Sequence, residues 1–233
     1  PTVQMVIWGF VTQFFIGHSS WLASAAGVLI GAVLLWDLLF RSQIGFSMCF
    51  LEEMWSRNLG HLFVSPLRPH EFIISMMVVS CLRGFFGLLP SWILAFVFFE
   101  FSILSYGLGI VAFFSCLMVM GWALGMIVIA LVLRFGLGAE SLAWVAIFAF
   151  APISAVYYPV ETLPAWLQIV AWCTPSAYVF EGMRSVLIDD IFRYDLLVGA
   201  ILANVVYLFA GIFVFSFSFL GARKQGKLLQ TGE

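Results

Sequence analysis

"FLEEMWSRNLGHLFVSPLRPHEF", residues 50–72, gathers Glu52, Glu53, Arg57, Arg68 and Glu71, with His61 and His70, into a chain that is almost pure hydrocarbon on either side. Met48, Leu51, Trp55, Leu59 and Leu62 recur three or four residues apart, which puts them on one face of a helix. Glu52, Glu53, Ser56, Arg57 and Asn58 fall largely elsewhere, and Glu53 and Arg57 stand i, i+4 in the stabilising order. The pattern predicts an amphipathic helix over 46–64, lying along a membrane surface and ended by Pro66 and Pro69. It reads either as an ordinary surface helix in a loop or as a rigid polar handle for a soluble partner.

The membrane follows from composition. Of 233 residues, 64% are hydrophobic and 9% charged, with a mean hydropathy of +1.11. Soluble domains carry about 25% charged residues, and no water-soluble fold of this size has interior enough to hide so much apolar surface. There is no basic run of the kind that binds nucleic acid. Cys49, Cys81, Cys116 and Cys173 are scattered, without a CxxC pair, and with His18, His61 and His70 they give no metal-ligand spacing. No Ser-His-Asp set stands out. The chain opens at Pro1 inside an apolar run, so a preceding segment is expected.

Crossing a bilayer takes about 20 apolar residues per helix. Six spans are expected in a single domain, 1–233. They are residues 3–16 (the outer part of a first span), 21–40 ended by Arg41, 72–99, about 106–133 ended by Arg134, 141–158 and 196–220. A polar tail, 222–233, follows. Basic residues set orientation. With the opening stretch inside, Arg41, Arg57, Arg68, Arg134, Arg223, Lys224 and Lys227 all face the cytoplasm, as do both termini. Trp8, Phe14, Phe15 and the other aromatics read mainly as lipid-facing or packing residues.

Between the last two spans, Pro164 and Pro175 break residues 163–190 into pieces too short to cross. Proline suits the first turn of a helix and not its interior. The prediction is a re-entrant external hairpin of two short helices, with Trp166 near its start and Glu181 and Arg184 paired three residues apart on its second arm. The alternative is a surface loop anchored by Trp166 and Trp172. Asp37 and Arg41 are expected to pair at the inner end of the second span. Arg83 lies within a span, where a lone charge costs at least roughly 2.5–3.5 kcal/mol on insertion scales. By depth, Asp37 is its expected partner.

The succession of a span, an LEE-bearing amphipathic helix, SPLRPHEF, a long span and later YYPVETLPAWLQIVAWCTPSAYVFEGMR resembles the permease subunit of ABC-2 type exporters. The resemblance covers nearly the whole chain. It implies an all-α membrane domain with six transmembrane helices, working as a homodimer of permeases with separate ATP-binding subunits in a bacterial cytoplasmic membrane. It makes the opening stretch the coupling helix, in which Glu52, Glu53 and Arg57 meet the ATP-binding subunit and Pro66 sets the angle into the next span. It makes Pro164, Trp166, Pro175, Glu181 and Arg184 an external gate. The chain has no GxxxxGK[ST] motif, so ATP and Mg would be held by the partner and this chain would be no enzyme. The expected work is export by alternating access, against the alternative of an ATP-independent channel or integral membrane enzyme. The motifs leave the cargo open.

Overall fold

The computed structural model describes residues 7, 10, 20–64, 68–99 and 108–224. Apart from Ile7 and Phe10, the expected first span lies outside the described residues, as do residues 17–19, Pro66, Glu100 and the tail beyond Lys224. Eight helices are described: α1 (Ser20–Trp55), α2 (Leu59–Val64), α3 (Pro69–Phe99), α4 (Leu108–Phe135), α5 (Leu142–Phe150), α6 (Ala165–Trp172), α7 (Pro175–Asp189) and α8 (Tyr194–Lys224). Short 3-10 turns sit at Leu137–Ala139 and Val160–Thr162, and no strand occurs among the described residues.

Four of these helices hold stretches long and apolar enough to cross a membrane: Val28–Trp55, His70–Phe98, Gly109–Phe135 and Tyr194–Lys224. The count differs from six in two places. The first expected span is outside the described residues except at Ile7 and Phe10. The expected fifth span, 141–158, is helical only over the nine residues of α5, and residues 151–158 are turns and bends. Pro152, which has no N–H to donate, falls just after the helix and favours its end there.

The second expected span also changes. Arg41 does not end it, and no separate surface helix begins at 46. One continuous helix of 36 residues runs from Ser20 to Trp55. Asp37 accepts from Arg41 Nε at 2.9 Å, so the charge at 41 is answered within the same helix and need not mark its end. Beyond it, Phe46, Phe50 and Leu51 are fully buried, so the stretch read as one face of a surface helix is packed into the protein. The helix stops at Ser56–Arg57, where Arg57 has φ 59, a left-handed conformation that α-helix cannot continue.

The bundle is built outward from the contact of α1 with α4. Gly121 and Gly125 of α4 face Ser42, Gln43 and Phe46 of α1, and a Cβ at either glycine would collide with them. This small-xxx-small spacing lets backbones approach in lipid, where hydrophobicity does not drive helices together. Ser42 donates to the Met118 carbonyl at 2.8 Å, and Ser80 of α3 donates to the Ser42 carbonyl at 2.9 Å, so α3, α1 and α4 are laced in sequence. On the far side of α4, Gly211 of α8 rests on the Ala123 backbone and Asn204 donates to the Cys116 carbonyl at 3.0 Å.

One core cluster holds Leu35, Leu39, Phe113, Leu117 and Phe180, and a second holds Phe46, Phe50, Ile129, Leu133 and Phe215. α7 therefore closes the end where α1 and α4 begin, while the Arg57 turn lies at the end where α1, α4 and α8 finish. Outward faces of α3 and α8 carry exposed Phe86, Phe96, Phe209 and Phe213, a surface suited to hydrocarbon and not to water. The chain is a multi-pass membrane protein.

Replacing Gly125 with leucine should force α1 from α4 and destabilise the bundle by about 1–3 kcal/mol, the usual range for overpacking. Gly84→Ala, where a Cβ meets no atom within 4 Å, should be tolerated. Thermal unfolding in detergent separates the two.

Candidate functional site

Two polar constellations stand at opposite ends of the bundle. At the α7 end, Arg184 is 8% exposed. Its guanidinium donates to the Ala155 carbonyl from Nη1 at 2.9 Å and from Nη2 at 2.5 Å, and to the Tyr158 carbonyl at 2.8 Å. Glu181, three residues earlier, lies 3.3 Å from Arg184 Nη2 and accepts the Val160 N–H at 2.6 Å. The expected Glu181–Arg184 pair is present, and it holds a strap. Residues 151–158 have left the helix, and one ion pair on α7 takes up backbone groups from 155, 158 and 160.

The strap needs such a holder. Unpaired backbone groups are costly when buried, and Ala155 has φ 51, a conformation unfavourable for any residue with a Cβ. Arginine suits the task because its five donors lie in a fixed fork. Burial pulls the Arg184 pKa down and the Glu181 carboxylate pulls it back up. Tyr158 donates to the Pro152 carbonyl at 2.6 Å and closes the strap on itself. Ser176 Oγ, in the first turn of α7, meets Ser154 Oγ at 2.9 Å and Thr174 Oγ1 at 3.2 Å.

The paired short helices expected at 163–190 are there. α6 follows Pro164 and α7 starts at Pro175, with Thr174 as its extended N-cap. At 8 and 15 residues they span roughly 12 and 22 Å at 1.5 Å per residue, and neither reaches across a hydrocarbon core of about 30 Å. Trp166 is 68% exposed and takes no part in the clamp.

At the other end, Glu52 and Arg83 form a two-pronged pair, with Nη1 to Oε1 at 2.9 Å and Nη2 to Oε2 at 2.7 Å. This corrects the expected Asp37–Arg83 pair. Side chains lean toward the N-terminus of their own helix. In the antiparallel helices α1 and α3, Glu52 and Arg83 therefore lean toward each other, whereas Asp37 leans away from Arg83. Matching depth alone ignores that direction.

The expected Glu53–Arg57 pair is also replaced. Glu53 accepts from Asn58 Nδ2 at 2.7 Å, because Arg57 has left the helix and only the turn residue Asn58 folds back within reach. Trp55 Nε1 donates to Glu140 at 3.1 Å, tying the end of α1 to the turn after α4. Arg57 is left exposed at the tip. Sequence spacing could not find Asn58 or Glu140, since neither is in helical register with its partner.

Arg184→Met should free the strap and cost about 3–5 kcal/mol, as when one partner of a buried pair is removed. Limited proteolysis should then cut within 151–160, and an uncut strap would contradict the clamp. For the half-exposed Glu52–Arg83 pair, a double-mutant cycle with Glu52→Gln and Arg83→Leu should give a coupling of roughly 0.2–1 kcal/mol. Asp37→Asn with Arg83→Leu should be additive in thermal stability.

No curated protein matches the chain. The family model described as ABC-2 type transporter matches residues 1–188, a stretch that takes in the polar turn, the strap and most of the α7 clamp. That match covers well over half of the 233 residues, and the chain belongs to the ABC-2 type transporter family.

Proposed function

We propose that this chain is the membrane permease of an ATP-driven exporter in a bacterial cytoplasmic membrane, paired with a second copy of itself. Separate ATP-binding subunits hold ATP and Mg. The family match is the observation that carries the proposal; permeases of this family normally work with an ATP-binding subunit. The geometry supports a route for coupling. α1 runs unbroken from the core to the polar turn, so a push on residues 55–64 reaches the α1–α4 contact through one rigid element.

In this reading Glu52 and Glu53 serve coupling by bracing the turn, through Arg83 and Asn58, while Arg57 offers its free charge to the partner. Both termini and the turn face the cytoplasm, on the side of Arg57, Arg134, Arg223 and Lys224. The strap, with Pro164, Trp166, Pro175, Glu181 and Arg184, forms the external gate. The two ends open in alternation as the ATP-binding subunits close and part.

Arg57→Glu reverses the exposed charge without breaking the Glu52–Arg83 or Glu53–Asn58 contacts. Like-charge juxtaposition at an interface costs several kcal/mol, so co-purification of the ATP-binding subunit should fall by at least about tenfold. Membrane insertion should be unchanged. Undiminished co-purification together with normal stimulation of ATPase activity would sink docking at this turn.

A further inference from the structure

Between α1 and α3 lies an open cleft of about 400 Å³ that neither the strap nor the polar turn uses. Four charged side chains line it, two of each sign. Glu52 and Arg83 stand at the end nearer the polar turn and Asp37 and Arg41 at the other, with Ile44 and Met48 between them. From Glu52 to Asp37 the cleft follows α1 for about 22 Å, at 1.5 Å per residue. Gly84 borders it on α3, and a Cβ there would meet no atom within 4 Å.

The charges decide what can fill this space. Arg41 falls near the middle of Val28–Trp55, and Arg83 near the middle of His70–Phe98. At that depth a charged side chain turns to protein or to a water-filled cavity, because hydrocarbon does not solvate it. Protein leaves three of the four open. The Glu52 and Arg83 side chains are each 46% exposed, and that of Arg41 is 24% exposed. Arg41 gives only Nε to Asp37, so its two terminal nitrogens have no acceptor among the described residues. The signs balance, so the cleft has no net charge to hold an ion. Water fits all of this: it accepts from Arg41, donates to the carboxylates and needs no countercharge. At roughly 30 Å³ per molecule, the volume admits on the order of ten waters. Past Asp37 the cleft ends against buried Leu34, Leu35 and Trp36.

We infer that the α1–α3 cleft is a water-filled inlet, entered beside the polar turn and closed at the Asp37–Arg41 pair. It carries water and small polar solutes of either charge to the middle of the membrane. The inlet is independent of the transport reading: it is wet whether or not an ATP-binding subunit docks.

The test uses the full chain in phosphatidylcholine nanodiscs, with Cys49, Cys81, Cys116 and Cys173 replaced by alanine and one cysteine added at a time. Methanethiosulfonate reagents attack the thiolate, which needs water to form. With the cationic trimethylammonium-ethyl reagent, Ile44→Cys and Met48→Cys should react within about tenfold of Ser56→Cys at the exposed turn. Leu82→Cys and Phe209→Cys, on exposed apolar faces near the middle of their spans, should react at least about a hundredfold more slowly. The anionic sulfonatoethyl reagent, with each rate normalised to a free thiol in solution, should agree within about threefold, because a balanced site does not steer charge. Gly84→Trp should plug the inlet and slow Phe40→Cys, beyond the plug, at least about tenfold more than Met48→Cys, before it. Rates at Ile44 and Met48 as slow as at Leu82, in variants with native helical content, would show a dry cleft and overturn the inference. A preference for the anionic reagent beyond about tenfold would make the cleft an anion site and overturn it too. Stronger slowing of Met48→Cys than of Phe40→Cys by Gly84→Trp would put the mouth at the wrong end.

Discussion

The bundle depends on the absence of two side chains. Gly121 and Gly125 let α4 lie against α1 at Ser42 and Phe46, close enough for the Ser42 hydroxyl to reach the Met118 carbonyl. Lipid offers a helix no reason to leave it except closer packing or a hydrogen bond, and each interhelical hydrogen bond adds on average only about 0.6 kcal/mol. Proximity has to supply the rest. With α1 and α4 in contact, the Ser42 carbonyl is placed for Ser80, and the opposite face of α4 is placed for Gly211 and Asn204.

Charge in this protein follows the same constraint of scarce water. Three ion pairs answer charge within the bundle: Asp37 with Arg41, Glu52 with Arg83, Glu181 with Arg184. Arg184 goes furthest, because it also answers the Ala155 and Tyr158 carbonyls of a segment outside any helix. A non-helical segment in a membrane protein is tolerated only where protein satisfies its backbone. The strap at 151–158 and the buried guanidinium are therefore two halves of one feature.

Much of this was legible in the sequence because it depends on local order. The apolar runs at 72–99 and 106–133 became α3 and α4 nearly to the residue, and Pro164 and Pro175 marked the starts of α6 and α7. Arg134 marked the end of the 106–133 run, and α4 closes one residue later, before Gly136, which takes φ 82. What stayed hidden depends on partners distant in the chain. The i, i+4 spacing of Asp37 and Arg41 foretold their pair, but not that the helix runs on past Arg41 into the packing of α3 and α4. The 46–55 segment looked like a surface helix because its polar residues are real. Phe46 and Phe50 pack in a cluster with residues of α3, α4 and α8, and Leu51 in one with α4 and α5, which no spacing within α1 reveals. The 141–158 run was apolar enough to cross, and Pro152 was the one local sign that it does not. Glu52 was assigned outward for want of any rule of helical lean.

The length of α1 has a mechanical consequence. Its tight contact with α4 falls at Ser42, off the middle of a 36-residue helix. At 1.5 Å per residue, the arm from Ser42 to Trp55 is about 20 Å and the arm back to Ser20 about 33 Å. If the glycine contact acts as a fulcrum, a small sideways step at Trp55 becomes a step about 1.7 times larger at Ser20. α1 is then a lever with its short arm at the polar turn, trading force for travel at the far end of the molecule.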